Sequence, residues 1–302
     1  MAAFPDFRPL GLDDRAFIRE ALWRYQPDTS ELTFTNLFIW SSLYRWRWST
    51  AGEWLIFLME EDGKEPALLQ PVGPSPRLEV TRMALSWLRA ERGVHSPRIE
   101  RADSRLVLEI SAAPELRISP ERDHFDYVYQ TADLIALKGG RYHAKRNHIS
   151  RFLQDYGAGF QFVPIGPENL GLCAEFQERW CELRRCDEDM NLREEWAAIR
   201  QGLACYQDLN VLGAAILIGE RVEAFTFGEL LNAQVAVVHI EKANPEIPGL
   251  YAMINQKFCE NDWPLVPFIN REQDLGEEGL RKAKLSYHPA RLVEKFRVEL
   301  AG

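Results

Sequence analysis

The chain has 302 residues and a formal net charge of −9, so its surface as a whole repels nucleic acid, and a polyanionic partner would need a local basic patch. A hydrophobic content of 46%, with 9 Trp and 16 Phe, supplies a core for one large domain or two smaller ones. Charges of both signs are interspersed and no low-complexity run occurs, which excludes a disordered chain.

The opening MAAFPDFRPLGLDD lacks the basic-then-apolar order of a secretory leader, and no apolar run is long enough to span a membrane. The five cysteines (Cys173, Cys181, Cys186, Cys205, Cys259) form no CxxC pair and no zinc spacing with histidine. They are expected to be reduced thiols in a cytoplasmic protein that holds no metal.

In chain order, a short strand at 7–10 precedes a helix whose Leu12, Phe17, Ile18, Ala21, Leu22 and Tyr25 recur at helical spacing. A helix at 35–43 follows, then strands at 44–49, 54–59 and 67–72 separated by AGE and EDGKE turns. Next come a helix at 78–91, a strand at 98–101, a short helix at 104–110 and an extended stretch at 125–129. A linking helical region at 132–156 leads to a strand at 160–165, helices at 168–184 and 192–207, and strands at 212–218, 222–229 and 234–242. A helix at 249–260, a strand at 265–270, a helix at 277–287 and a strand at 292–300 complete the chain. Both halves read β-α-α-β-β-β-α-β-α-β, which divides the chain into residues 1–130 and 131–302.

That order resembles the GNAT acyltransferase fold in tandem, an α/β (α+β) class with two mixed-sheet domains. The stretches DYVYQTADLIALKGGRYHAKRNHISRF (126–152), HIEKANPEIPGLY (239–251) and NREQDLGEEGLRKAKLSYHP (270–289) are similar to a bacterial family of unknown function. That family is related to the C-terminal domain of phosphatidylglycerol lysyltransferases and distantly to Fem-type aminoacyl transferases. The resemblance implies a transferase acting on a small-molecule acyl donor and an amine or hydroxyl acceptor. Its donor would be a coenzyme A thioester or an aminoacyl-tRNA; DNA is not expected, and peripheral contact with a membrane stays open.

In such enzymes chemistry occurs where the strand QVAVVHIEKAN splays from its neighbour. Alternation puts His239 and Glu241 on one face, a base with an orienting carboxylate; the same residues also read as a core histidine and a solvent-reaching acid. Lys242 and Tyr251, in the same stretch, join the expected substrate-binding set. Asn270, Arg271 and Glu272 lie at the C-terminal end of a strand, where open sheets place ligands, with Lys284 nearby. Tyr287 matches the tyrosine that protonates the leaving group in GNAT-like enzymes, though it also reads as one of the buried residues of a stripe with Leu280 and Ala283. Lys138, Arg141 and Lys145 fall with His148 on one helical face, a row suited to the phosphates of coenzyme A or tRNA, with Arg146 beside it; the row also reads as a solvated face. Where a GNAT enzyme grips pyrophosphate, this chain has NPEIPG, with two prolines and an acid, which speaks against a standard coenzyme A grip. The alternative to an enzyme is a non-catalytic module binding an anionic ligand, tRNA or a protein.

Overall fold

The computed structural model describes residues 2–301. The elements begin with β1 (Arg8–Pro9), α1 (Arg15–Tyr25), α2 (Phe34–Ile39), α3 (Ser41–Tyr44), β2 (Arg47–Ala51), β3 (Trp54–Met59) and β4 (Ala67–Leu69). They continue with α4 (Leu78–Ala90), β5 (Arg98–Ala102), α5 (Ser104–Ile110), β6 (Leu116–Pro120), β7 (Asp126–Gln130), α6 (Thr131–Ala136) and α7 (His143–Tyr156). Next are β8 (Phe160–Pro164), α8 (Leu170–Arg184), α9 (Met190–Ala204), α10 (Tyr206–Leu209), β9 (Leu212–Ile218), β10 (Arg221–Asn232) and β11 (Val235–Ala243). The last are α11 (Leu250–Asp262), β12 (Phe268–Asn270), α12 (Glu278–Leu285), β13 (Arg291–Val293) and β14 (Phe296–Leu300).

The chain forms two compact units, one of Met1–Asp126, Gln273–Gly276 and Leu292–Gly302, the other of Tyr127–Glu272 and Glu277–Arg291. Its two sheets are mixed, with the strand orders β1-β2-β3-β4-β5-β14-β6 and β13-β7-β12-β11-β10-β9-β8. This is the tandem GNAT-like α/β class. The stretch read as one strand at 292–300 is two, β13 and β14, and they belong to different sheets. The strand β6 was not expected from sequence, because LRISP is short and ends in proline.

In the first unit α4 turns Val80, Ala84, Leu85 and Leu88 onto a core shared with Ile56, Leu58, Leu68 and Ile99, and Val298 of β14 completes it. A stripe at this spacing buries one helix face while Glu79 and Arg82 stay on the other. Immediately before β14 is Lys295, fully buried, whose ammonium is 2.6 Å from Asp126 and 2.7 Å from Glu31.

In the second unit β10 and β11 form a long hairpin with two register shifts, one near its turn between Leu230 and Asn232 and one in mid-strand. Phe227 faces Ile240 but Gly228 faces Val238, so His239 is an extra residue on β11, a β-bulge. Glycine is required opposite it: a Cβ on Gly228 would lie 2.1 Å from the Val237 carbonyl oxygen. On its other edge β11 pairs in parallel with β12 only through Val235–Val237. Beyond Val237 the two strands part.

Helix α11 begins at Gly249, which has φ +86° and lies directly beneath α7. A Cβ there would be 2.0 Å from the His148 carbonyl oxygen and 3.2 Å from Phe152 Cβ. The start of α11 is therefore closed by the protein's own backbone.

Two predictions follow from this packing. Lys295→Met strands two buried carboxylates and should cost the first unit about 3–5 kcal/mol in a urea titration; a loss below about 1 kcal/mol would mean that the three groups are not buried together. Gly249→Ala should destabilise the second unit by at least about 2 kcal/mol, read as a lowered unfolding temperature. A wild-type transition in that variant would show that α7 does not cover this helix start.

Candidate functional site

The site is built at the divergence of β11 and β12. After Asn270 the chain turns sharply: the Asn270 Oδ1 accepts a hydrogen bond from the Glu272 N–H at 2.8 Å, and Glu272 has φ +56°. A non-glycine residue in the left-handed region costs about 1–2 kcal/mol, so the turn must be held from outside. Tyr127 N–H donates to the Glu272 carbonyl at 3.2 Å, and Arg271 N–H donates to the Tyr127 carbonyl at 2.9 Å. The Lys284 ammonium donates to the carbonyls of Arg271 and Glu272.

Lys284 can do this because α12 is anchored by its end. That helix buries none of its own residues, and Leu280 is 42% exposed, so the expected stripe of Leu280, Ala283 and Tyr287 reduces to Tyr287 alone. Two tyrosine hydroxyls satisfy the carbonyls at its C-terminus, Tyr129 donating to Lys284 O at 2.9 Å and Tyr142 to Tyr287 O at 3.1 Å.

Held there, the Arg271 guanidinium reaches Glu241 at 2.7 Å and lies 4.7 Å from the centre of the Tyr287 ring. The other oxygen of Glu241 accepts from Asn255 Nδ2 at 2.8 Å. On either side of this carboxylate two buried polar atoms lack a protein partner, Arg271 Nη1 and Asn255 Oδ1. The Lys145 ammonium sits 3.9 Å from the centre of the Tyr287 ring. Burial, and then the charge of Arg271, push its pKa down to about 8 against the opposing pull of Glu241. Burial pushes the Tyr287 phenol up to about 12, so it keeps its proton at neutral pH.

His239 departs from expectation. It is not a free base oriented by Glu241, because both ring nitrogens are engaged elsewhere: Nδ1 is 2.9 Å from Glu272 and Nε2 is 3.2 Å from Glu229. Burial alone would lower its pKa, but hydrogen bonds to Glu229 and Glu272 hold it up at about 9. At neutral pH the ring is an imidazolium between two carboxylates.

The basic row is also corrected. Leu137 and Gly139 both have positive φ, which ends α6 and breaks the predicted helix before α7 begins. Lys138 is exposed in that connection, Arg141 pairs with Asp133 at 2.8 Å, and Arg146 donates to the carbonyls of Leu137 and Gly139. Lys145 leaves the row for the Tyr287 ring. The helical spacing that groups Lys145 with Lys138 and Arg141 does not hold, because the helix is interrupted between Leu137 and Tyr142.

Lys242 does not open onto the cluster either. It is buried, paired with Glu195 at 2.6 Å and held 3.9 Å from the centre of the Trp180 ring. Trp180 Nε1 in turn donates to Ala243 O at 3.1 Å and to the Tyr251 hydroxyl at 3.3 Å. Cysteine chemistry differs as well. The left-handed cap of α8 at Arg185 folds the chain back, and Cys181 and Cys186 form a disulfide, while Cys173, Cys205 and Cys259 are free. Asn255 and Tyr129 escaped sequence reasoning; the available signal for Asn255 was a lone amide among Met253, Ile254 and Phe258 on a buried helix. Among the described residues no cluster of His, Cys, Asp or Glu is arranged to hold a metal ion, and no helix is long and apolar enough to cross a membrane.

Comparison with known proteins places this geometry. A conserved protein of unknown function from Bacteroides thetaiotaomicron superposes with a TM-score of 0.90 at 32% identity, covering 97% of this chain and 99% of that one. L-PGS from Bacillus licheniformis shares the fold at 12% identity, with a TM-score of 0.66 over 100% of this chain and 93% of that one. A tandem GNAT protein from the clavulanic acid biosynthesis pathway shares it at 12% identity and a TM-score of 0.51, over 98% of this chain and 99% of that one. An uncharacterised protein of Mycoplasmoides gallisepticum is 21% identical over 175 residues, 58% of this chain and 56% of that protein's length, so the match spans little more than half of that relative. Residues 23–299 match the family described as phosphatidylglycerol lysyltransferase, C-terminal, and the chain belongs to that family.

Proposed function

We propose that the protein is an aminoacyl transferase, moving an aminoacyl group from an ester donor such as aminoacyl-tRNA to a hydroxyl or amine acceptor. One observation carries the choice of donor. Glu241 is flanked by an unpartnered donor, Arg271 Nη1, and an unpartnered acceptor, Asn255 Oδ1. An α-aminoacyl ester offers the complement, a carbonyl oxygen for the guanidinium and an ammonium for the carboxylate and amide. A simple acyl group offers only the carbonyl. The crowded start of α11 supports the same choice, since the His148 carbonyl packs against Gly249 where a GNAT enzyme would place the pyrophosphate of coenzyme A.

In this reading the acceptor attacks the ester carbonyl, and its proton passes to the neutral amine of Lys145. Negative charge develops on the carbonyl oxygen as it becomes tetrahedral, where Arg271 Nη1 donates to it. Tyr287 provides the ring against which Lys145 and Arg271 are set and retains a proton for the leaving alcohol. Glu241 keeps Arg271 oriented, and His239 takes no proton from substrate. The second reading, a non-catalytic module for an anionic ligand, tRNA or a protein, is favoured by one fact: Arg271 is already paired with Glu241, and Lys284 is committed to backbone carbonyls.

The test is transfer from a pool of charged tRNA, and separately from an acyl-CoA panel, to hydroxyl and amine acceptors. Turnover is expected with the ester donors alone, rising with pH through an apparent pKa of about 8 as Lys145 loses its proton. Lys145→Arg keeps the charge but cannot deprotonate, and should lower kcat by about 10²–10⁴ and abolish that rise. Binding of charged tRNA without turnover would favour the module, and a folded protein that neither binds nor transfers would defeat the proposal.

A further inference from the structure

The bulge at His239 has no role in the transfer chemistry above, yet it is built at some expense. An extra residue is inserted into β11, a glycine is required opposite it, and a positive-φ glutamate is brought to meet it. Bulges at such places re-aim a side chain. Here the side chain joins three elements: His239 belongs to β11, Glu229 to β10, and Glu272 to the turn that follows β12. It thus spans the gap where β11 and β12 no longer pair, doing with side chains what the missing ladder would have done with backbone.

We propose that His239 is a positioning residue, an imidazolium latch that fastens the turn at residues 270–272 to the β10–β11 hairpin and so holds Arg271 against Glu241. Its consequence for catalysis rests on the transferase reading; the latch itself does not. Only the doubly protonated ring can donate to both carboxylates, since a neutral imidazole has one N–H and would face one of them with a lone pair. Loss of that proton therefore removes one of the two hydrogen bonds that the ring makes to Glu229 and Glu272. The charged groups around the latch are Glu229 on β10, Glu272 in the turn, the Arg271–Glu241 pair beyond it, and Lys284 of α12 on the Glu272 carbonyl. Lys284 stays on the backbone of the turn, so deprotonation releases the side-chain tie rather than unfolding the unit.

The sign of the pH dependence is fixed by the raised pKa. The latch is fully closed below the ordinary histidine value of about 6.5, and it opens as the pH climbs through about 9.

Hydrogen–deuterium exchange of the whole chain reads this without any assay of turnover, so its failure and that of the transferase reading are separable. After correction for base-catalysed exchange, protection of the segment 268–272 should fall about tenfold or more between pH 7 and pH 10, while the β9–β10 hairpin holds. In Glu229→Gln the acceptor oxygen remains but one charge is gone, and the midpoint should move down by about one pH unit. In His239→Gln the segment should exchange fast at pH 7 and show no further pH response. Nitrogen-15 spectra of histidine-labelled wild type follow the His239 ring directly, which decides the matter if either variant fails to fold. Titration of that ring near its ordinary value, or protection that tracks the hairpin at every pH, would overturn the proposal.

Discussion

The second unit is organised by a short ladder. Three residues of β11 pair with β12, and everything beyond Val237 on that edge must find partners some other way. Backbone and side-chain polar groups removed from water without partners are costly, and charges more so. The chain answers with side chains. Glu229, Glu241 and Glu272 bring three carboxylates, and His239, Arg271 and Lys284 meet them or the carbonyls between them. Lys145 comes to this cluster buried, and burial, then the charge of the neighbouring Arg271, disfavour its ammonium form against the pull of Glu241.

The first unit repeats the plan with a different outcome. Its parallel pair, β4 and β5, is as brief as that of β11 and β12, and Arg101 near the end of β5 has φ +58° much as Glu272 does after β12. At the start of α4, however, the Glu109 carboxylate accepts from the Arg77 N–H at 2.7 Å, from its guanidinium and from the Ser75 hydroxyl. An anion of the chain itself occupies the helix start. The second unit closes its own helix start with the His148 carbonyl. The two units thus crowd the corresponding helix start with different groups, a carboxylate in one and a backbone carbonyl in the other.

Much of this was legible in the residues. Periodicity and turn signals locate most elements, with β3 and β9 at their observed limits, since each is a continuous apolar run of six or seven residues bounded by turn or helix-end signals. The polar run Asn270–Glu272 and the acid of β11 were recognisable as a meeting point because polar residues at a buried strand end need a reason. What alternation could not reveal was the bulge: one inserted residue leaves the hydrophobic pattern of QVAVVHIEKAN intact while redirecting His239. The position of Lys145 could not be read from helical spacing, because a glycine pair separates α6 from α7. The pairing of Lys295 with Asp126 and Glu31 was invisible for a simpler reason, since contacts between residues so far apart in sequence leave no local pattern.

The position of β14 has a consequence for biosynthesis. The strand inserted between β5 and β6 is Phe296–Leu300, so the sheet of the first unit has a gap one strand in from its β6 edge until that segment has been made. A nascent chain carrying only the first unit's leading 126 residues exposes two unsatisfied strand edges and the hydrophobic seat of Val298. Closure of that sheet thus waits for a segment that follows the residues of the second unit along the chain.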